Sequence, residues 1–137
     1  MSELFVYKNP NPCNAHVGDC VIRAISIITG EKWEKIYSDL SVQGLMMCDM
    51  PSSNAVWGAY LNSIGYERDA LPNRYPDCFT VAEFCESNNK GDYILATGSH
   101  VIAVKDGDYF DIFDSGAEVP TYFFYKATAE NEGKASK

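Results

Sequence analysis

A chain of 137 residues, 46% hydrophobic and 13% aromatic, is long and apolar enough to fold as one globular domain around a single core. Its formal net charge of −8 repels phosphate backbones, so we expect no nucleic-acid partner. The apolar runs are too short to span a bilayer, and we expect no membrane partner.

The first residues, MSELFVYKNP, lack the basic region and the apolar core of a signal peptide. The five cysteines are odd in number and show no regular disulfide spacing. Because free thiols are usual in a reducing compartment, the expected location is the cytoplasm.

The first half of the chain predicts one strand and three helices. Leu4 to Tyr7 can form a short strand. Cys20 to Thr29 is apolar on nearly every face, which indicates a buried helix that Gly30 ends. Two further helices show apolar residues at three- and four-residue steps: Trp33, Ile36, Tyr37 and Leu40 in one, and Val56, Trp57, Tyr60, Leu61 and Ile64 in the other.

The second half predicts mostly strands. A capping box at Thr80 to Glu83 begins a short helix through Cys85. Four segments rich in β-branched and aromatic residues then predict strands: Tyr93–Leu95, His100–Lys105, Tyr109–Phe113 and Tyr122–Tyr125. Helices followed by a mostly antiparallel sheet indicate an α+β fold. We expect one domain over residues 1–126 and a flexible tail over residues 127–137.

Cys20 is the candidate nucleophile because it lies at the predicted start of the buried helix. The partial positive charge of a helix N-terminus stabilises a thiolate, and a neighbouring imidazolium does so more strongly. The chain has two histidines, His16 and His100, and His100 begins a predicted strand. We therefore predict His100 as the base, although a cysteine in such an apolar run can also be an ordinary core residue.

The orienting acid depends on the register of the predicted hairpin. A three-residue loop at residues 106–108 would put His100 opposite Asp114, and a carboxylate there would fix the tautomer of the imidazole. A two-residue loop would shift the pairing by one residue and leaves Asp111 as the alternative. Two donors are predicted for an oxyanion: the backbone N–H of Cys20 and the side-chain amide of Asn14, six residues upstream.

The order of these groups resembles the papain-like cysteine peptidase superfamily. The stretches GDCVIRAISIITGEKWEKIY and GSHVIAVKDGDYFDIFDSG are similar in particular to small papain-fold proteins of phages and bacteria. The resemblance implies a papain-like fold with a buried central helix that carries the nucleophile. It also implies that Cys20 is the nucleophile, His100 the base and Asp114 the orienting residue. Asn14 matches the oxyanion position, where the family usually has glutamine.

The function expected from these residues is that of a cysteine-dependent amide hydrolase, a peptidase or isopeptidase, that acts on a peptide or protein and needs no cofactor and no metal. If a phage encodes the chain, its location is the cytoplasm of the bacterial host. One alternative is a papain-fold binding module with weak or no catalysis, directed at a host factor. Another is a zinc site formed by Cys13, His16, Cys20 and Cys48, although these lack the usual Cys-x-x-Cys pair.

Overall fold

The computed structural model describes residues 4–71 and 78–126. These residues form four helices and one six-stranded sheet, which confirms the α+β class. In chain order the elements are β1 (Phe5–Tyr7), α1 (Cys20–Thr29), α2 (Trp33–Met47), α3 (Asn54–Ser63), β2 (Tyr66–Ala70), α4 (Val81–Ser87), β3 (Asp92–Ala96), β4 (Val101–Lys105), β5 (Asp108–Asp111) and β6 (Tyr122–Lys126). The predicted tail, residues 127–137, lies outside the described residues.

Several helix ends follow from local chemistry. Helix α1 ends at Gly30, whose φ of 75° is in the left-handed region that glycine adopts at no steric cost. Helix α4 begins with the predicted capping box, in which Thr80 and Glu83 satisfy each other's backbone N–H. Neither of the two described stretches contains a helix with the length and hydrophobicity to cross a membrane.

The sheet separates two hydrophobic clusters. Its strand order is β1-β5-β4-β3-β6-β2, and among the strands of the described residues only β1 and β5 pair in parallel. Helices α1, α2 and α3 cover one face, where they pack on residues Ile94, Ala96, Val101, Ala103 and Phe124. Helix α4 covers the other face, where the buried strand residues are Tyr93, Leu95, Ile102, Val104, Tyr109 and Phe123. This arrangement fixes α1 against the central strands β3 and β4.

The hairpin between β4 and β5 has a different register from the one predicted. Lys105 pairs with Asp108, so the loop contains only Asp106 and Gly107. These two residues have φ values of 50° and 87°, and positive φ at both positions is what a type I′ turn requires. The predicted three-residue loop is therefore wrong, and every residue of the returning strand shifts by one position relative to β4.

Candidate active site

Cys20 is the first residue of α1 and faces a cavity of about 550 Å³. Asp19 is the residue at the N-cap, so the N–H groups of the first helical turn, that of Cys20 among them, have no acceptor within the helix. The thiol is partly buried. A nucleophile at this position has open space in front of it and the positive end of the helix dipole behind it.

His100 is positioned by the tight turn between β3 and β4. The Thr97 hydroxyl accepts hydrogen bonds from the backbone N–H groups of Ser99 and His100, at 3.1 and 2.9 Å. The backbone N–H of Thr97 donates to the carbonyl of His100 at 2.9 Å. The turn therefore fixes the backbone of His100 at the wall of the same cavity.

The carboxylate that orients His100 is Asp111. The distance from His100 Nε2 to Asp111 Oδ2 is 2.6 Å, and the Ser115 hydroxyl donates to the same oxygen at 2.8 Å. The backbone N–H of Ile112 donates to Asp111 Oδ1, also at 2.8 Å. Asp111 is only 2% exposed, so these bonds replace the water that a carboxylate would otherwise bind.

The prediction that Asp114 orients His100 is wrong. Asp114 is exposed, and its Oδ1 accepts hydrogen bonds from the Tyr109 hydroxyl and, at 3.0 Å, from the backbone N–H of Gly116. The two-residue turn pairs Lys105 with Asp108, so the register that would place Asp114 opposite His100 does not form. Asp114 instead stabilises the loop that follows β5.

Cys20 and His100 line the same cavity, and the imidazole acts on the thiol both as a hydrogen-bonding partner and as a nearby charge. Burial would raise the pKa of the Cys20 thiol. The hydrogen bond and positive charge of His100 outweigh burial, with help from a backbone hydrogen bond of Val101 and the charge of Arg23, so that pKa lies below its ordinary value. His100 and Arg23 therefore stabilise the ionised form of Cys20 relative to that of an isolated cysteine.

His100 is the matching cation. Burial would lower its pKa, but the hydrogen bonds to Asp111 and then to Cys20 raise the pKa of His100 to about 10. Burial would likewise raise the pKa of Asp111, whereas the hydrogen bond and charge of His100 hold that pKa below its usual value. Because Asp111 occupies Nε2, the other ring nitrogen is left for the sulfur. His100 therefore lies between the Cys20 sulfur and the Asp111 carboxylate.

Phe113 packs against the side of His100. Its ring lies 5.2 Å from that of His100, centroid to centroid, at an interplanar angle of 31°. Phe113 is itself 47% exposed, so the ring beside the imidazole is partly open to solvent.

Arg23 belongs to the same network, and the sequence analysis did not identify it. The Arg23 guanidinium forms an ion pair with Asp19, and its NH2 group lies 3.3 Å from Asp111 Oδ1. Asp19 also accepts hydrogen bonds from the Trp33 indole, at 2.9 Å, and from the Asn11 amide, at 3.2 Å. An arginine in an otherwise apolar helical run was the available signal, because a buried guanidinium requires carboxylate partners.

Asn14 is not brought to the cavity. It is exposed, has a φ of 53°, and its backbone N–H donates to the carbonyl of Asn11 at 2.9 Å. The residues that line the cavity do not include it. The predicted side-chain donor for an oxyanion, Asn14, therefore lies on the surface of the loop before α1. Of the two predicted donors, the backbone N–H of Cys20 is the one at the cavity.

The four residues of the alternative zinc site are not gathered together. Cys13 and Cys48 are both exposed, and His16 Nε2 lies 3.5 Å from the hydroxyl of Tyr7. Within residues 4–71 and 78–126, no three His, Cys, Asp or Glu side chains converge in a way that could hold a metal ion. Cys20 instead lines a cavity together with His100.

The cavity wall combines apolar side chains with small hydroxyl groups. Its apolar and aromatic residues are Val21, Ile22, Tyr37, Leu40, Met50, Pro51 and Val101. Small hydroxyl-bearing residues of the wall are Ser41, Ser52, Thr97 and Ser99. Asp19 and His100 are its charged members, and both have partners of opposite charge. The cavity can therefore hold an uncharged chain segment beside the sulfur of Cys20.

Comparison with known proteins gives no relative for this chain. No protein-family model matches it, and neither a curated protein nor a solved structure is significantly similar to it.

Proposed function

We propose that this protein is a cysteine-dependent amide hydrolase, a peptidase or isopeptidase, with Cys20 as the nucleophile, His100 as the acid and base, and Asp111 as the orienting carboxylate. One observation carries the proposal: His100 lines the same cavity as Cys20 and is bonded through Nε2 to a buried carboxylate 2.6 Å away. In fold terms the proposal is a papain-like arrangement, with the nucleophile on a buried helix and the other two groups on the sheet.

The chemistry proceeds in two halves. The Cys20 thiolate attacks the carbonyl carbon of the amide, and the backbone N–H of Cys20 stabilises the oxyanion. The His100 imidazolium gives its proton to the leaving nitrogen, so an amine departs and a thioester remains on Cys20. Neutral His100 then takes a proton from water, and the hydroxide attacks the thioester carbonyl. The acid product leaves, and the thiolate and the imidazolium are restored.

A peptide or protein is the proposed substrate because most of the residues that line the cavity are uncharged. Its walls supply apolar contact and hydroxyl groups that can bond to a peptide backbone, and its charged residues already have partners. A small charged metabolite would leave its own charge unpaired there. The cytoplasm, or that of a bacterial host, is the proposed location.

The alternative is a binding module that has the same fold but cleaves nothing. It is favoured by the position of Asn14, because an exposed Asn14 leaves the oxyanion without the predicted side-chain donor. Removing one such donor costs an enzyme about 100- to 1000-fold in rate. A protein with a reactive Cys20 and no amide cleavage would fit this second function.

Two measurements test the proposal. The first is the rate of Cys20 alkylation by iodoacetamide near pH 7 in wild type and in the His100→Ala variant. The second is the release of fluorophore from a pooled library of peptidyl-coumarin amides, with Cys20→Ala as the inactive variant and Cys13→Ala as the matched control. We expect fast alkylation that depends on His100, and release that only Cys20→Ala abolishes.

Each result has a defined meaning. If Cys20 alkylates no faster than glutathione and His100→Ala leaves its rate unchanged, the hydrolase proposal fails. If alkylation is fast but no member of the library is cleaved, the binding module becomes the better function. If Cys20→Ala retains full release while Cys13→Ala loses it, the nucleophile has been assigned wrongly.

A further inference from the structure

Arg23 is a buried cation that joins two carboxylates from distant parts of the chain. It is 4% exposed and lies one turn after Cys20 on α1. One nitrogen of its guanidinium binds Asp19, which immediately precedes Cys20, and the other lies 3.3 Å from Asp111 on β5. The residue therefore links the element that carries the nucleophile to the residue that orients the base.

A purely structural role does not require arginine at this position. Residues Ala24, Ile25, Ile27 and Ile28 of the same helix are buried and apolar, and an apolar side chain could join α1 to the sheet equally well. Replacing a buried ion pair with well-packed apolar residues is often neutral or stabilising. Both partners of Arg23, moreover, touch the site: one precedes the thiol in sequence and the other binds His100.

The hydrogen bonds to Asp111 show what the guanidinium contributes. The oxygen Oδ2 faces His100 and Ser115, while Oδ1 faces Arg23 and the backbone N–H of Ile112. A carboxylate held at both oxygens cannot rotate away from the imidazole. Without Arg23, Asp111 Oδ1 would keep one donor, the backbone N–H of Ile112.

Arg23 also acts on Cys20 through its ion pair with Asp19. An uncompensated carboxylate one residue before Cys20 would repel a thiolate, and the bond to Arg23 cancels that charge. The remaining Asp19 oxygen is held by Trp33 and Asn11. The charged groups that surround this cluster from α1, the β3–β4 turn and β5 are Asp19, Arg23, His100 and Asp111.

We infer that Arg23 is a positioning residue of the Cys20 site, which fixes the Asp111 carboxylate against His100 and neutralises Asp19 beside the thiol. The inference rests on the proposed function, since it assigns Arg23 a role in forming the thiolate. Arg23 does not touch the reacting atoms and acts through Asp111 and Asp19.

The test is the pH dependence of Cys20 alkylation by iodoacetamide, followed by mass spectrometry of the peptide that contains Cys20. The variants are Arg23→Gln, Asp111→Asn and the two combined. Ile36→Ala is the control, since it removes a fully buried side chain of α2 that is not part of the hydrogen-bonded cluster. All rates are compared at temperatures where circular dichroism shows each variant folded.

We expect Arg23→Gln to slow alkylation at pH 6.5 by about tenfold or more, which corresponds to a rise of one unit in the pKa of Cys20. The rate above pH 10 should match wild type, because the Cys20 thiol is ionised there in both proteins. In the Asp111→Asn background, adding Arg23→Gln should change the rate by less than about threefold, because two residues that act through one contact are not additive. Ile36→Ala should lower the melting temperature and leave the pH profile unchanged.

Arg23→Gln removes the cation that pairs with two buried carboxylates, which can destabilise the fold. Two further variants are therefore measured in parallel: Arg23→Lys, and Arg23→Gln combined with Asp19→Asn. Arg23→Lys keeps the charge but loses the fork that spans both partners, so we expect a slower rate at pH 6.5 than in wild type. Unchanged pH profiles in every folded variant at position 23 would overturn the inference, as would full additivity with Asp111→Asn. A wild-type Cys20 that ionises like glutathione would instead overturn the proposed function.

Discussion

His100 Nε2 lies 2.6 Å from Asp111 Oδ2, whereas Asp114, three residues further along the chain, binds the hydroxyl of Tyr109. Asp111 is the last residue of β5, Asp114 lies in the loop that follows, and each has a side-chain hydrogen-bond partner. They differ in burial, since Asp111 is 2% exposed and Asp114 is on the surface. A buried carboxylate next to an imidazole strongly favours the imidazolium, while an exposed one that binds a tyrosine hydroxyl stabilises only a loop.

The first prediction separates these two aspartates. Asp111→Asn removes the charge that holds His100 protonated, so Cys20 alkylation by iodoacetamide at pH 6.5 should slow by about tenfold or more. Asp114→Asn should keep the rate within about twofold of wild type and lower the free energy of unfolding by about 1 kcal/mol. Urea unfolding and mass spectrometry provide the two readouts. A larger kinetic effect from Asp114→Asn than from Asp111→Asn would contradict the assignment.

The second prediction concerns the contrast between Cys20 and Cys85. His100 lowers the pKa of Cys20, whereas burial, with a smaller contribution from the charge of Asp108, raises the pKa of Cys85 to about 12. In native protein at pH 6.5, Cys20 should react with iodoacetamide at least about tenfold faster than glutathione, of which only about 1% is ionised. Cys85 should stay unmodified until urea unfolds the chain. Early labelling of Cys85 would show that its burial is not maintained in solution.

The third prediction is a high titration midpoint for His100. Its pKa is raised from 6.5 to about 10, mainly because hydrogen bonds to Asp111 and Cys20 outweigh burial. The folded pKa exceeds the unfolded one, so protonation of His100 contributes its full stability below pH 6.5 and loses it as the pH rises through about 10. NMR of the imidazole carbon-bound protons should show the charged form from pH 7 to 9. Asp111→Asn should move the midpoint down, and a wild-type midpoint near 6.5 would rule out the ion pair.

Local sequence signals predicted much of this fold because they act over a few residues. The capping box at Thr80 and the left-handed Gly30 both lie where they were predicted, and they bound their helices as expected. Strand β2 was missed because Tyr66 is its only buried residue, and its charged neighbours suggest a loop. This strand forms at the edge of the sheet by pairing with β6, a partner that no local pattern specifies.

The candidate site could be predicted only in part. The structure brings the predicted Cys20 and His100 to one cavity, but the carboxylate bonded to His100 is that of Asp111 and not of Asp114. The predicted loop was one residue too long, although an Asp-Gly pair between alternating apolar residues favours a two-residue turn. The partners of Arg23 could not be predicted from the sequence for a different reason. One of its partners is four residues away on the same helix, while the other is 88 residues away on β5 and meets it only after the sheet has formed.

The fourth prediction concerns the Thr97 hydroxyl, which holds the turn before His100. Thr97→Val keeps the shape of the side chain but removes the acceptor for two backbone N–H groups, at Ser99 and His100. We expect a loss of about 1 to 2 kcal/mol in the free energy of unfolding and slower alkylation of Cys20 at pH 6.5, because the imidazole is no longer held in place. Thr97→Ser retains the oxygen and should restore both. Equal behaviour of the two variants would exclude this role.

The fifth prediction concerns Gly44, where α2 meets the connection that carries Met50 and Pro51 to the cavity wall. A Cβ added at Gly44 would lie 2.7 Å from the backbone oxygen of Asp49 and 3.2 Å from the nitrogen of Pro51, and neither atom can move without shifting the connection. Gly58 is the matched control, because it also lies inside a helix and its added Cβ would make ordinary contact, 3.5 Å, with the ring of Phe124.

Alanine favours a helix over glycine by about 1 kcal/mol, so Gly58→Ala should be neutral or stabilising. Gly44→Ala has the same advantage but must displace backbone, and overpacking of this kind costs about 1 to 3 kcal/mol. We therefore expect Gly44→Ala to unfold at a lower urea concentration than Gly58→Ala. An apolar peptide amide bound in the cavity should protect Cys20 from alkylation. Gly44→Ala should weaken this protection, because it shifts Met50 and Pro51 at the cavity wall. Identical urea midpoints for the two variants would show that the connection after α2 adapts freely and does not fix the cavity wall.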